Sequence, residues 1–463
     1  MDFSAANSEL WNIVIQLGII AAAVLISTFL RRKLPVVRNS LMPVAVIAGF
    51  LLLLLRSIGV LEFDTKLLEM MTYHGIAIGF IALSLRIPSP TSEDKGKLIA
   101  VKSGALVVNT YLLQALVGFA IVLALAYTVM PGLFKASGIL LPMGYGQGPG
   151  QANNVGTTYE TLGFAGGRSF ALALAAAGYL CACIVGVIYI NVLSRKKKLQ
   201  KMEHGEISGS VNVDAFEDRG EIPVAESLDR FSMQTALVVI VYLATFLSAW
   251  GLTSLIGLIS PGLSDMLSPI LWGFNFIIGA ALAMLLRVIL KHLRNSKIMT
   301  RQYQNNYLLS RISGVAFDLM IVAGIASINI GDLSGLWVPF VLMAVAGGLV
   351  TLLYLRWLCK RLYPGYYYEG LTSMYGMLTG TISSGILLLR EIDPQFETPA
   401  ANNLVTASST GILLGIPMLV FIGMAAKSDL MLFVTIGIVA VYWLALLLFI
   451  TKVNPKGKQK KAE

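Results

Sequence analysis

Two polar stretches, each set in long apolar sequence, carry the residue types best suited to ligand chemistry. The first runs Met143-Gly144-Tyr145-Gly146-Gln147-Gly148-Pro149-Gly150-Gln151-Ala152-Asn153-Asn154. The second runs Met374-Tyr375-Gly376-Met377-Leu378-Thr379-Gly380-Thr381-Ile382-Ser383-Ser384-Gly385. Aligned from the tyrosine, Tyr145-Gly146 falls on Tyr375-Gly376, Gly150 on Gly380, Gln151 on Thr381, and Asn153-Asn154 on Ser383-Ser384. The offset is about 230 residues. A helix broken at membrane depth exposes N–H groups on one side, which attract anions, and carbonyls on the other, which suit a hard cation. This predicts a substrate site lined by Gly146, Gln147, Gly148, Gly150 and Gln151 from the first stretch, and by Tyr375, Gly376, Thr379, Gly380 and Thr381 from the second. Asn153, Asn154, Ser383 and Ser384 are the candidate cation ligands, with Asp318 as an intramembrane acid that binds sodium, carries a proton or pairs with a base. The bland alternative is that the glycines permit close helix packing while the hydroxyls bond back to their own helices.

The elements that must position these residues are membrane spans. The chain has 463 residues, 56% hydrophobic and 13% charged, against about 25% charged in ordinary globular proteins. The net charge of +10 does not point to nucleic acid, because the basic residues sit in short loops between apolar runs, as cytoplasmic loops facing anionic lipid do. Asp2 and Glu9 stand where a signal peptide would be basic, so the first apolar run is read as an uncleaved span. Cys181, Cys183 and Cys359 are read as small packing residues, and no Cys/His cluster has zinc spacing.

Spans are expected at about 11–30, 41–59, 70–87, 103–130, 168–192, 233–257, 268–290, 311–330, 336–358, 400–423 and 429–450. The polar stretches, at about 137–160 and 366–390, are read as re-entrant. With the N-terminus outside, this places Arg31-Arg32-Lys33, Lys196-Lys197-Lys198, Lys291, Arg294, Arg356 and the Lys452–Lys461 tail on the cytoplasmic side, roughly 30 of the 35 basic residues. The expected fold is an all-α polytopic membrane protein with two inverted-topology repeats of five spans. Each repeat holds one re-entrant or discontinuous segment, and one extra span follows at the C-terminus. The divisions are 1–192 (first repeat), 193–232 (a cytoplasmic linker), 233–425 (second repeat) and 426–463 (accessory span and basic tail). Gly49 and Gly279, also about 230 apart, each precede an apolar run ending in arginine, Arg56 or Arg287. Pro43 and Pro269 lie near the starts of the same spans. The arginines are expected to snorkel.

At these residues the chain resembles the bacterial sodium/glutamate symporter family. The resemblance rests on the 5+5 inverted arrangement, the central loop, the glycine-rich segment before the last span of each half, and the run Pro43-Val44-Ala45-Val46-Ile47-Ala48-Gly49. It covers about residues 11–423. Where the family has glycine-histidine-glycine, this chain has Gly144-Tyr145-Gly146, with Pro149 added. Where the family has glycine-phenylalanine-glycine, it has Met374-Tyr375-Gly376. The resemblance implies transport by an elevator-like mechanism, with a core domain holding both re-entrant segments, and it implies a homodimer. The altered signatures leave the substrate open among glutamate-like amino acids, dicarboxylates and other organic anions, and sodium or proton as the coupling ion.

Other polar residues take smaller roles in this reading. His74 is expected near the outer end of its span in a structural hydrogen bond. Asn109 and Gln114 are expected to bond between helices. Asn402, Asn403, Thr406, Ser408 and Ser409 are held as additions to a cation site. Glu160, Arg168, Arg390 and Glu391 are expected as interfacial salt bridges or lipid-facing anchors, the alternative being an arginine that reaches in to clamp a carboxylate, and Tyr363 to Tyr368 as an aromatic belt on the cytoplasmic side. No Walker A, H-E-x-x-H or G-x-S-x-G pattern is present. The expectation is a secondary transporter of a bacterial inner membrane with a cytoplasmic C-terminus, not an enzyme and without a cofactor beyond a coupling ion. A channel with re-entrant selectivity segments is the rival.

Overall fold

The computed structural model describes residues 7–39, 41–87, 94–195, 230–260, 271–299, 301–393 and 398–452, with Ser4, Ser264 and Ser268. Lys196–Lys198, most of the 193–232 linker, Asp265, Pro269 and the tail beyond Lys452 lie outside the described residues, as do the side chains of Ser383 and Ser409.

Among the described residues the structure is helical, without strands. The first half carries α1 (Ser8–Lys33), the short α2 (Pro35–Asn39), α3 (Val44–Ser57), α4 (Thr65–Leu85) and α5 (Asp94–Thr128). A 3-10 turn at Lys135–Ile139 then leads to α6 (Leu140–Tyr145), α7 (Pro149–Thr161) and α8 (Gly167–Arg195). The second half carries α9 (Arg230–Ile259), α10 (Asn275–Asn295), α11 (Asn306–Ala326), α12 (Trp337–Leu362), α13 (Tyr367–Thr379), α14 (Ile382–Arg390), α15 (Ala400–Gly415), α16 (Pro417–Ala425) and α17 (Asp429–Lys452).

Nine helices of the described residues are long and apolar enough to cross a membrane, and a tenth span is counted if the pair Ala400–Ser408 and Thr410–Ala425, bent by 42°, is one crossing. The chain is therefore a polytopic α-helical membrane protein. Every apolar run expected from the sequence has a helix on it; α3, with 14 residues, is the short one. Both polar stretches are interrupted helices, as their glycine and proline content dictates.

The chain divides into two compact units. Unit 1 comprises Met1–Pro88, Gln147–Ala176 and Met202–Phe340; unit 2 comprises Ser89–Gly146, Ala177–Lys201 and Val341–Glu463. Each unit draws helices from both halves, so compactness does not follow the consecutive 1–192 and 233–425 division. Burial drives this, since a helix with two apolar faces packs against whatever partner covers it, at any distance along the chain.

Unit 1 is organised by α4 and α11, which cross antiparallel. A side chain at Gly75 would meet Ala316 and Met320, whereas one at Gly79 would meet Phe317. Ser313 Oγ donates to the Gly79 carbonyl at 3.0 Å. α3 packs on α11, and α10 on α4. These two contacts mirror each other. A Cβ on Gly49 would sit 2.8 Å from Ile325 of α11, and one on Gly279 would sit 2.8 Å from Ile81 of α4.

The arginines that end the two apolar runs do not snorkel. Arg56 Nη1 donates to the Ala326 and Ile328 carbonyls at 3.0 and 3.4 Å. Arg287 Nη1 donates to the Ser84 and Arg86 carbonyls at 3.2 and 3.0 Å. Each guanidinium thus closes the C-terminal end of the helix against which its own helix packs. The last carbonyls of α11 and α4 lack intrahelical partners and carry partial negative charge. A nearby cation gains more there than at a lipid interface.

In unit 2, α15 packs on α5, and the Thr410 hydroxyl donates to the Ala100 carbonyl at 3.2 Å. The last helix, α17, also lies along α5. Asn109 Nδ2 donates to the Trp443 carbonyl at 2.7 Å, and Lys102 Nζ to the Ile450 carbonyl at 3.1 Å. The accessory span is therefore an integral part of this unit.

Candidate functional site

The second polar stretch is a helical hairpin within unit 2. A Cβ on Gly376 of α13 would lie 2.8 Å from Gly385 Cα and 2.9 Å from Leu388 of α14, and one on Gly385 would lie 2.5 Å from the Ser373 carbonyl. The two helices therefore fold back on each other. Neither, at 13 and 9 residues, has the roughly 20 residues a span needs. Only glycine at these facing positions lets the backbones approach so closely.

At the tip, Gly380 ends α13 and Thr381 precedes α14. Thr379 is fully buried, and its hydroxyl donates back to the Tyr375 carbonyl at 2.8 Å, inside its own helix. The Thr381 and Ser384 hydroxyls are buried with no hydrogen-bond partner among the described residues. Ser384 is 2% exposed, and its Oγ lies 2.8 Å from where a Gly380 side chain would begin. Leaving a buried hydroxyl unpaired costs on the order of 1–3 kcal/mol, a cost at this break that an incoming donor, acceptor or cation would offset.

The end of the first stretch reaches the same place in unit 2. Gly178 of α8 has no room for a Cβ, which would collide with the Thr379 carbonyl and lie 3.4 Å from Tyr145 Cα. Gln114 of α5 joins the two ends as well. Its Nε2 donates to the Leu378 carbonyl at 3.0 Å and to Thr351 Oγ1 at 2.9 Å, while its Oε1, buried without a donor, faces Gly146. Gln114 does bond between helices as expected, but its position at the break was not readable. Gly178 was missed because nothing distinguishes it within an alanine-rich run.

The paired tyrosines act as anchors. Tyr145 OH donates to the Ala344 carbonyl and lies 3.3 Å from Cys181 Sγ. Tyr375 OH donates to the Gly348 carbonyl, one turn further along α12, at 3.4 Å. Tyr375 is 1% exposed, so its hydroxyl is committed to the scaffold of the unit.

The other half of the first stretch, α7, belongs to unit 1. Gly148 has φ +86° and precedes Pro149 at the first helical position. That positive φ favours glycine, and proline there forfeits only an N–H that would be unpaired anyway. Gly150 packs on Ile76 and Met320, and Pro149 against Gly324. Gln147 is half-buried at the junction. Gln151 Oε1 and Asn153 Oδ1 are buried without donors. Asn153 Nδ2 reaches Asn154 Oδ1 at 3.4 Å, and Asn154 Nδ2 donates to the Gly273 carbonyl. The stretch just before α10 is thereby tied to α7.

The remaining candidates scatter. Asp318 is exposed at mid-length of α11, with no partner among the described residues. Asn403 donates to Tyr366 OH at 2.7 Å, and Thr406 and Ser408 bond to their own helix. Arg168 pairs with Glu69 at 3.1 Å, and its backbone N–H donates to Glu160 Oε1 at 3.1 Å. Tyr363 is fully buried on Ser103 Oγ at 2.7 Å rather than lining an interfacial belt. Apposed hydroxyls inside the unit satisfy it better than a headgroup region would. His74 sits near the middle of α4, not its outer end, and does make a hydrogen bond, with Tyr242 OH at 2.6 Å.

No family model, curated protein or solved structure matches the chain. Its many apolar helices fit a membrane transporter or channel in general.

Proposed function

We propose that the protein is a secondary active transporter, coupling the movement of a small carboxylate or amino acid to sodium by an elevator-like alternation of access. The observation that carries this reading is the meeting of both interrupted stretches at Gly178 in unit 2, beside unpaired Thr381 and Ser384 hydroxyls. Discontinuous helices meeting at depth are how transporters offer backbone and hydroxyl groups to solute and ion. In this reading Gly146, Gly380, Thr381 and Ser384 face the cargo, with Gln114 between them. Within unit 1, Gln151, Asn153 and Asn154 are the candidate cation ligands of α7, and Gln147, Gly148 and Gly150 shape its start. Tyr375, Gly376 and Thr379 hold the hairpin.

An inverted repeat underlies the proposal. It is supported by the antiparallel crossing of α4 and α11 and by the reciprocal arginines Arg56 and Arg287. Each half also runs as spans, one interrupted pair and a final span. The exposed Asp318 favours proton coupling as a second reading, because an acid at membrane depth is costly unless it works. The test is uptake into proteoliposomes of a panel of labelled amino acids and carboxylates, under a sodium gradient, a proton gradient or neither. Saturable, sodium-driven accumulation is the expected result. Channel-like currents that do not saturate, or uptake indifferent to both gradients, overturn the reading.

A further inference from the structure

A polar network in unit 1 shares no residue with the hairpin. His74 Nδ1 and Tyr242 OH of α9 are 2.6 Å apart. The Asn275 side chain interacts with the same Tyr242 hydroxyl and donates from Nδ2 to Tyr73 OH at 2.9 Å. Tyr73 OH in turn donates to the Trp272 carbonyl at 2.8 Å. The adjoining Gly273 carbonyl is the one that Asn154 of α7 holds. Asn275 is 4% exposed, and its Oδ1 is buried with no donor. His74, by contrast, is exposed on α4. A contiguous network therefore joins an imidazole at the surface of the helix bundle to the first interrupted stretch.

We propose that His74, Tyr242 and Asn275 form a proton-binding site wired to α7. With His74 neutral, the Tyr242 O–H is donated to Nδ1, and Asn275 Oδ1 is left without a donor. When a proton from water binds Nδ1, the imidazolium N–H becomes the donor and Tyr242 O the acceptor. The Tyr242 hydrogen then needs a new acceptor, and the orphaned Asn275 Oδ1 is on the adjoining side chain. Turning that amide toward Tyr242 takes its Nδ2 from Tyr73, which loosens the hold on Trp272 and, next to it, on the Gly273–Asn154 contact. One proton enters and one O–H rotates; nothing else is exchanged. Tyr73 on its own helix and Tyr242 on α9 are the titratable groups facing His74. α10 contributes the neutral Asn275, and none of the charged groups Lys66 and Glu69 of α4, Arg230 of α9, Arg287, Lys291, His292 and Arg294 of α10, Arg311 and Asp318 of α11 or Glu160 of α7 bonds to His74 among the described residues. The link to coupled transport rests on the function proposed above, but the site itself does not.

The chain has three histidines, so imidazole nuclear magnetic resonance of the histidine-labelled, full-length protein in nanodiscs resolves them. Between about pH 5 and pH 8, one imidazole is expected to titrate that is missing in both His74→Gln and His74→Asn. The reporter is maleimide labelling at Thr158→Cys, with Cys181, Cys183 and Cys359 replaced by alanine. A Cβ on Gly273 would lie 4.0 Å from Thr158 Oγ1. Labelling should change about threefold with the same midpoint as the imidazole. In Tyr242→Phe and Asn275→Ala the imidazole still titrates while labelling becomes flat with pH. Absence of a His74 titration overturns the proposal. So does a pH-dependent labelling rate that survives in the His74, Tyr242 or Asn275 variants. Both readouts are independent of solute uptake, so a failed transport assay leaves them interpretable.

Discussion

The crossing of α4 with α11 in unit 1 and the α13–α14 hairpin in unit 2 are both built on glycine, but they spend their polar groups differently. At the crossing the polar groups that hold the helices together are answered, although Asp318 of α11 has no partner among the described residues. Arg56 and Arg287 close helix ends, Ser313 meets Gly79, and the glycines face side chains that can yield, such as Ile325, Ile81 and Met320. At the hairpin the glycines face backbone, and the Thr381 and Ser384 hydroxyls are left over. A contact whose hydrogen bonds are made is what a rigid support needs. A tight backbone turn with unpaired hydroxyls is what a binding site needs, because the ligand supplies the missing partners.

The hardest test of that contrast is steric. Gly178→Val sets a side chain against the Thr379 carbonyl and Tyr145 Cα, which cannot move without opening the break. We expect loss of folded protein or of uptake, read by size-exclusion recovery and proteoliposome flux. Gly150→Ala meets the Ile76 and Met320 side chains and should cost no more than about 1–3 kcal/mol, seen as a lowered Tm with uptake retained. Equal damage from both would erase the distinction.

Next in size are the arginines. Arg56→Ala and Arg287→Ala each strip two carbonyls of a charged donor, a loss of about 1.5–3 kcal/mol. If the two contacts are counterparts, their effects on thermal unfolding match within about 0.5 kcal/mol; an effect confined to one breaks the mirror relation. Smaller still in stability are Thr381→Ala and Ser384→Ala. Removing a hydroxyl that bonds nothing should leave Tm within a degree or so (about 0.5 kcal/mol) or raise it, while ion-dependent uptake falls. A large stability loss without any change in uptake would mark these hydroxyls as structural.

The mildest effect is expected at Lys135, whose ammonium pairs with Asp429 at the start of α17. The hydrogen bond and charge of Asp429 hold the lysine above its usual range. A raised folded value means that the stabilisation is fully present below the unfolded lysine value, near 10.4, and fades as pH rises through the folded one. The Tm difference between wild type and Lys135→Met should therefore be small and narrow at high pH.

Much of the architecture was legible because it is written locally. A span needs about 20 apolar residues, and nine of the eleven expected runs carry helices of that kind among the described residues, a tenth if the bent pair from Ala400 to Ala425 is one crossing, while α3 falls short at 14 residues. Gly148, Pro149 and Gly380 announce interruptions whatever surrounds them, since backbone freedom and a missing N–H are properties of the residue itself. Tyr145 and Tyr375 were legible as a pair, but not as anchors, because the carbonyls they seek lie on α12.

By itself, then, the sequence determined a polytopic helical membrane protein, most of its helices and the breaks in the two polar stretches, but not the bend within the run from Ala400 to Ala425. Only the tertiary structure decided who answers whom. Arg56 finds its carbonyl 270 residues away, Gln114 finds Leu378 at a separation of 264, and His74 finds Tyr242 at 168. The physical reason is that hydropathy and backbone propensity act within one turn or one span. A hydrogen bond is specific only once packing has brought its partner within about 3 Å.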